Sequence, residues 1–209
     1  MAEYFVPFEA AETEFTEKRS RFIGQIKRVE SEEEARAFIE SIKKKHYDAR
    51  HNCWCYVLHE GNVLRYGDDG EPQGTAGQPM LNVFQREGVE NVVCVVTRYF
   101  GGVLLGAGGL TRAYAKSAKD ALDAAGKARM RLWTRLLLDC PYPMLERLKL
   151  LITAHKGVLQ DTQFGAAVTL DFLLPSEGVA AFEAALTELS AGTMSVQNEG
   201  EDFLPGERE

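Results

Sequence analysis

The sequence predicts an α+β protein built from two domains, residues 1–130 and 131–209. Three observations carry that expectation. The length of 209 residues suits two small units that can each bury a core. Charge changes sign along the chain: residues 18–132 hold 19 Lys/Arg and 14 Asp/Glu, a net of +5, whereas residues 133–209 hold 5 and 12, a net of −7. The second part also reads β-α-β-β-α-β, the split βαβ or ferredoxin-like order.

In the first part, Arg21 to Val29 is an extended segment. Ser31 and Glu34 form a capping box ahead of Ala35, Phe38, Ile39 and Ile42, the apolar stripe of an amphipathic helix. Asn52 to Leu58 reads as a strand, and the turn-forming stretch Tyr66 to Gly77 as a loop. Pro79 suits the first position of a short helix carrying Met80, Val83 and Phe84, which Gly88 stops. Val92 to Val96 is a continuous apolar run, expected as a strand buried on both faces. From Leu110, the residues Ala113, Tyr114, Ser117, Ala118, Ala121 and Leu122 make one small-residue helical face ending at Gly126. Ala125 to Arg131 is the expected linker.

The second part opens with a strand from Leu132 to Cys140 and a helix from Pro143 to His155. A short strand, Val158 to Gln163, turns at Phe164-Gly165. Alternation from Ala166 to Leu174 gives the third strand. Ser176 is a candidate cap for a helix bearing Phe182, Ala185, Leu186 and Leu189, and Met194 to Asn198 closes the order.

Composition excludes several classes. No apolar run approaches the roughly 18 residues a membrane helix needs, so no membrane partner is expected. The first residues, MAEYFVPFEAAETEF, are acidic and carry no basic segment ahead of an apolar core, so no signal peptide is read and a cytoplasmic location is expected. Cys53 and Cys55 share one face of a strand and cannot bridge without strain, while Cys94 and Cys140 are isolated. His51, Cys53 and Cys55 align, but alternate strand residues lie about 7 Å apart, too far to share one ion. The expectation is four reduced cysteines, no metal and no cofactor.

The stretch 98–114, RYFGGVLLGAGGLTRAY, carries the chemistry of most interest. Five of the nine residues from Gly101 to Gly109 are glycine, and Arg98 and Arg112 flank them. Gly101 and Gly106 have P-loop spacing, but Ala107-Gly108 stands in place of Lys-Ser/Thr. The dinucleotide fingerprint fails too, with Thr111 in its last position. What remains is general: free amides at a helix start attract anions. The same glycines equally suit close strand–helix packing, and the face with Arg112, Lys116, Lys119 and Asp123 equally suits a solvated surface. A second group, Asp68-Asp69-Gly70-Glu71, places three carboxylates within four residues. Such a group could hold Mg²⁺ or move protons, although EF-hand spacing is absent. The favoured reading is a turn whose carboxylates cap backbone amides or pair with arginines.

Three ordered motifs, Asp48-Ala-Arg-His51, Asp68-Asp-Gly-Glu-Pro-Gln-Gly-Thr-Ala-Gly77 and Arg98-Tyr-Phe-Gly-Gly-Val-Leu-Leu-Gly-Ala-Gly-Gly-Leu110, resemble those of the IMPACT/YigZ family over about residues 18–125. The resemblance implies a first domain of the two-layer β/α type shared by ribosomal proteins, elongation-factor domains and some small-molecule kinases. It implies a second domain similar to a ferredoxin-like domain of an elongation factor, as in the bacterial two-domain members. It also implies a link to translational control under stress. The motif positions it singles out are His51, Asp68, Asp69, Glu71, Thr75, Arg98, Gly101, Gly102, Gly106 and Arg112. The expectation is therefore a cytosolic, non-catalytic, translation-associated regulator. It would bind RNA or the ribosome through Arg98, Gly101, Gly102, Gly106, Gly108, Gly109, Arg112 and Lys116. An enzyme acting with Mg²⁺ on a phosphorylated small molecule or nucleotide is the alternative, and a protein-interaction module, with a protein partner in translation control, the second.

Overall fold

The computed structural model describes residues 4–209, so the first three residues of the acidic amino-terminal stretch lie outside the described residues. The fold is α+β, with one compact unit running to Met130 and including Pro205–Glu209, and another spanning Arg131–Leu204.

In the first unit, β1 (Phe5–Pro7) and β2 (Ala11–Glu17) precede the expected first strand, β3 (Ser20–Arg28). Ser31 caps α1 (Glu32–Lys45) by accepting from the Glu34 amide at 3.2 Å, as the capping box requires. The return bond goes one residue further back, with the Glu30 amide donating to Glu34 Oε2 at 2.9 Å. Next come β4 (His51–Leu58) and β5 (Val63–Gly67), so Tyr66 and Gly67, expected in the loop, belong to a strand. α2 (Gly77–Glu87) begins two residues before Pro79 and ends at Gly88, whose φ of 63° is the left-handed stop expected there. β6 (Val92–Tyr99) extends three residues beyond the expected Val96. α3 (Ala107–Ala125) starts three residues before Leu110, which places Gly108 and Gly109 inside its first turn.

The five strands order as β2-β3-β6-β4-β5, antiparallel throughout. Phe22, Cys53, Cys55, Cys94 and Val96 point to the face covered by α2 and α3. Tyr56, Leu58, Val93 and Val95 point to the opposite face, against Ala35, Ile39 and Ile42 of α1. β6 is thus buried on both sides, as its unbroken apolar run anticipates. All four cysteines are buried and unbridged, and burial pushes the Cys53 and Cys94 thiols up. The expected linker is corrected here. Ala125 ends α3, Gly126 turns at φ 70°, and 127–131 already lie in β7 (Lys127–Cys140), because alternating Ala128 and Met130 bury one face.

The second unit is ferredoxin-like. β7 is followed by α4 (Leu145–Ala154), β8 (Val158–Phe164), β9 (Val168–Pro175), α5 (Val179–Ser190) and β10 (Gln197–Arg208). The strands order as β10-β7-β9-β8, which in chain numbering of this unit is 4-1-3-2. Leu136, Leu138, Leu170, Phe172 and Leu174 pack beneath Leu148, Ile152, Phe182 and Leu186 of the two helices. Ser176 does not cap α5: the cap position is Gly178, and the Ser176 hydroxyl instead pairs with Thr134 Oγ1 at 2.8 Å. The last strand starts later and runs longer than Met194 to Asn198.

Candidate functional site

Register builds the site. Arg98 stands opposite Phe22 on β3 and His51 on β4. Directly opposed residues of an antiparallel pair share a face, here the face under α2 and α3. Arg98 therefore ends up inside the domain, 5% exposed, with its guanidinium carbon 5.5 Å from the Phe22 ring and 5.4 Å from the Phe100 ring. Its Nη1 donates to Glu71 Oε1 at 2.6 Å and its Nη2 to Ser20 Oγ at 3.2 Å. The buried Nε has no partner among the described residues. Glu71 also accepts from the Tyr114 hydroxyl at 2.9 Å. Burial raises the Tyr114 phenol well above its usual range, so it stays a protonated donor.

The acidic loop is spent on the backbone. Asp68 accepts from the amides of Gly74 at 2.7 Å, Ala76 at 3.1 Å and Gly77 at 2.8 Å. It thus supplies to the start of α2 the carboxylate that Ala76 at the cap position cannot. Asp69 accepts from the Asn52 amide at 2.7 Å and faces Lys43 Nζ at 3.5 Å. Thr75 Oγ1 donates to the Pro72 carbonyl at 2.6 Å. His51 Nδ1 meets the Asp69 carbonyl oxygen at 2.8 Å. A carbonyl only accepts, so Nδ1 carries the proton and Nε2 is left toward Glu71 Oε1, 3.9 Å away. Among the described residues, no three His, Cys, Asp or Glu side chains are grouped to hold a metal ion.

A cavity of about 310 Å³ opens over this network, lined among others by Arg50, His51, Glu71, Arg98, Gly106 and Ala107. The start of α3 faces it. Gly106, at the cap position, offers no side-chain cap, and the first intrahelical bond is from the Leu110 amide to the Gly106 carbonyl at 2.9 Å. The three amides before Leu110 therefore have no intrahelical partner. Gly106 holds this start at φ 73° and ψ 165°, a region essentially confined to glycine. Space around it is open, so the cost of a side chain there is backbone strain alone. Gly106→Ala is expected to lose about 1–3 kcal/mol in urea denaturation, and a loss below about 0.5 kcal/mol would show that the helix start is not held this way.

The residues expected to bind phosphate are placed differently from one another. Arg98 and Gly106 line the first cavity. Gly109, Arg112 and Lys116 line a second, of about 160 Å³, together with Lys18. Leu105 lines both. Gly101 and Gly102 line neither, and the Gly101 amide donates to Ser20 Oγ at 3.4 Å. Gly108 is exposed in the first turn of α3. Arg112 is exposed without an ion pair among the described residues, whereas Lys116 pairs with Asp120 and lies over the Phe15 ring at 4.7 Å. Arg50 is a cavity residue that the sequence reading does not single out. It is exposed and stacks on Phe100 at 5.8 Å, and its signal lies in the Asp48-Ala-Arg-His51 motif.

Comparison with known proteins shows the family. Residues 18–122 match the Impact N-terminal domain, and residues 138–193 match a domain of unknown function (DUF1949). The chain is 38% identical to IMPACT family member YvyE of Bacillus subtilis (strain 168), over 95% of this chain and 91% of that one. It is also 38% identical to IMPACT family member YigZ of Escherichia coli (strain K12), over 86% and 89%. A crystal structure titled only as a hypothetical protein superposes with a TM-score of 0.60 at 36% identity, covering 94% of this chain and 97% of that one. The chain belongs to the IMPACT family.

Proposed function

We propose that this protein is a non-catalytic, translation-associated factor of the cytoplasm whose first domain binds RNA at the start of α3. The observation that carries the reading is the uncapped start of α3 over the 310 Å³ cavity, with Arg50 exposed at the cavity. Free helix amides and an exposed guanidinium favour phosphate oxygens. Arg112, further along the same helix and without an ion pair among the described residues, extends the basic surface, and the half-exposed Phe100 ring offers a face for a base. Arg98 contributes no free charge to such binding, since Glu71 neutralises it. Likeness to the IMPACT proteins supports the translational setting. The acidic second domain serves docking to a protein partner or orientation on a larger assembly.

Amide hydrogen exchange locates the contact. Adding a short RNA is expected to slow exchange at Ala107, Gly108 and Gly109 and to leave β8 unchanged. Binding that protects other segments but not the start of α3 would sink the reading. A second reading, an enzyme acting with Mg²⁺ on a phosphorylated small molecule, has His51 Nε2 beside Glu71 on its side. Against it, the carboxylates of Asp68 and Asp69 already accept backbone amides. A nucleotide-induced thermal shift that requires Mg²⁺ would favour the enzyme.

A further inference from the structure

We infer that the cavity at the start of α3 receives the terminal phosphate monoester of an RNA end, an assignment that rests on the RNA reading above. The cavity is small, about 310 Å³, and Arg98 and Glu71, both buried, line it. A phosphate inside a strand must let the chain enter and leave on both sides. A terminal phosphate has one substituent and can be inserted end-on.

Proton matching points the same way. His51 is 8% exposed and lines the cavity. Its Nδ1–H is committed to the Asp69 carbonyl, and its Nε2 has no hydrogen-bond partner among the described residues. Nε2 can thus share a single proton with an incoming group, accepting it when the ring is neutral and donating it when the ring is charged. A phosphate monoester has a second ionisation near pH 6 and presents either P–OH or P–O⁻. A diester presents acceptors only and cannot complement the neutral ring. The free amides at the start of α3 then bind the remaining oxygens, and Phe100 and Leu104 at the cavity provide apolar surface for the terminal nucleoside.

The chemistry is shared by 5′-phosphate and 3′-phosphate ends, so the test compares three oligoribonucleotides of one sequence. One carries a 5′-phosphate, one a 3′-phosphate and one hydroxyls at both ends, each with an internal fluorophore. One phosphorylated arm is expected to bind the full-length protein about tenfold or more tightly than the hydroxyl arm, the worth of one charge-assisted hydrogen bond. Ala107→Glu places a carboxylate at the exposed first helical position, where the helix dipole tolerates it, and is expected to erase the preference without lowering the melting temperature. His51→Gln is expected to reduce it. Equal affinity for all three arms would overturn the inference while leaving the RNA reading intact. A preference that survives Ala107→Glu would place the end elsewhere and also overturn it. Failure of every arm to bind at low salt would overturn the RNA reading itself and this inference with it.

Discussion

Glu71→Ala is expected to lower the stability of the first domain by about 3–5 kcal/mol. The pair it breaks is enclosed: the Arg98 side chain is 6% exposed and the Glu71 side chain 3%. Removing the carboxylate leaves a cation in a low-dielectric setting beside two aromatic rings, with no counter-charge. The Tyr114 hydroxyl loses its acceptor at the same time. Desolvation of the orphaned partner, rather than the strength of the ion pair, sets the size of the loss. That argument has a second arm. Glu71→Leu combined with Arg98→Met replaces both charges by apolar volume and is expected to recover most of the loss. Native-state hydrogen exchange of the β6 amides reads the first domain separately from the second. Wild-type protection in Glu71→Ala would show that the pair is not buried as described.

Gly101→Ala is the other large effect, expected at about 3 kcal/mol or more, the upper end for forced overpacking. A Cβ on Gly101 would lie 1.9 Å from the Arg19 carbonyl oxygen and 2.1 Å from its carbon. Those atoms are backbone and cannot swing aside. Arg19 is itself in a tight turn, with Lys18 at φ 44° and Arg19 at φ 67°. Gly102→Ala is the control. Gly102 has φ 82° but nothing near its absent Cβ, so its cost is limited to backbone strain, about 1 kcal/mol. Chemical denaturation of the two variants side by side gives the comparison. Similar midpoints for both would contradict a close approach at Gly101.

These two cases show what can be read in the chain and what cannot. The ferredoxin-like order, the Ser31 cap, the Gly88 stop and the doubly buried β6 all follow from local pattern, and the sequence displays them. β2 does not stand out, although Ala11, Thr13 and Phe15 alternate with Glu12 and Glu14. As an edge strand it buries little, so its apolar face is thin. β5 is missed because its last two residues, Tyr66 and Gly67, head a stretch dense in turn formers, and only pairing with β4 makes them a strand. In the site, the glycine density correctly marks a helix start, but the partner of Arg98 lies 27 residues away and that of Tyr114 lies 43 away. No local pattern encodes such pairings, because the strand register creates them. The acidic turn is legible as caps and arginine partners, which Asp68, Asp69 and Glu71 prove to be, whereas which arginine Glu71 takes, and its burial, are not.

The most direct test of the central claim is the salt dependence of RNA binding, measured by fluorescence anisotropy for the wild type beside Arg50→Ala/Arg112→Ala. Both residues are exposed, so the substitutions leave the core untouched. If RNA phosphate lies at the start of α3, the wild type shows a falling log K against log salt. The double variant then flattens that slope by about 1.4 units, at about 0.7 for each single-strand phosphate that is no longer neutralised. An unchanged slope in the double variant, with RNA still bound, would contradict the account.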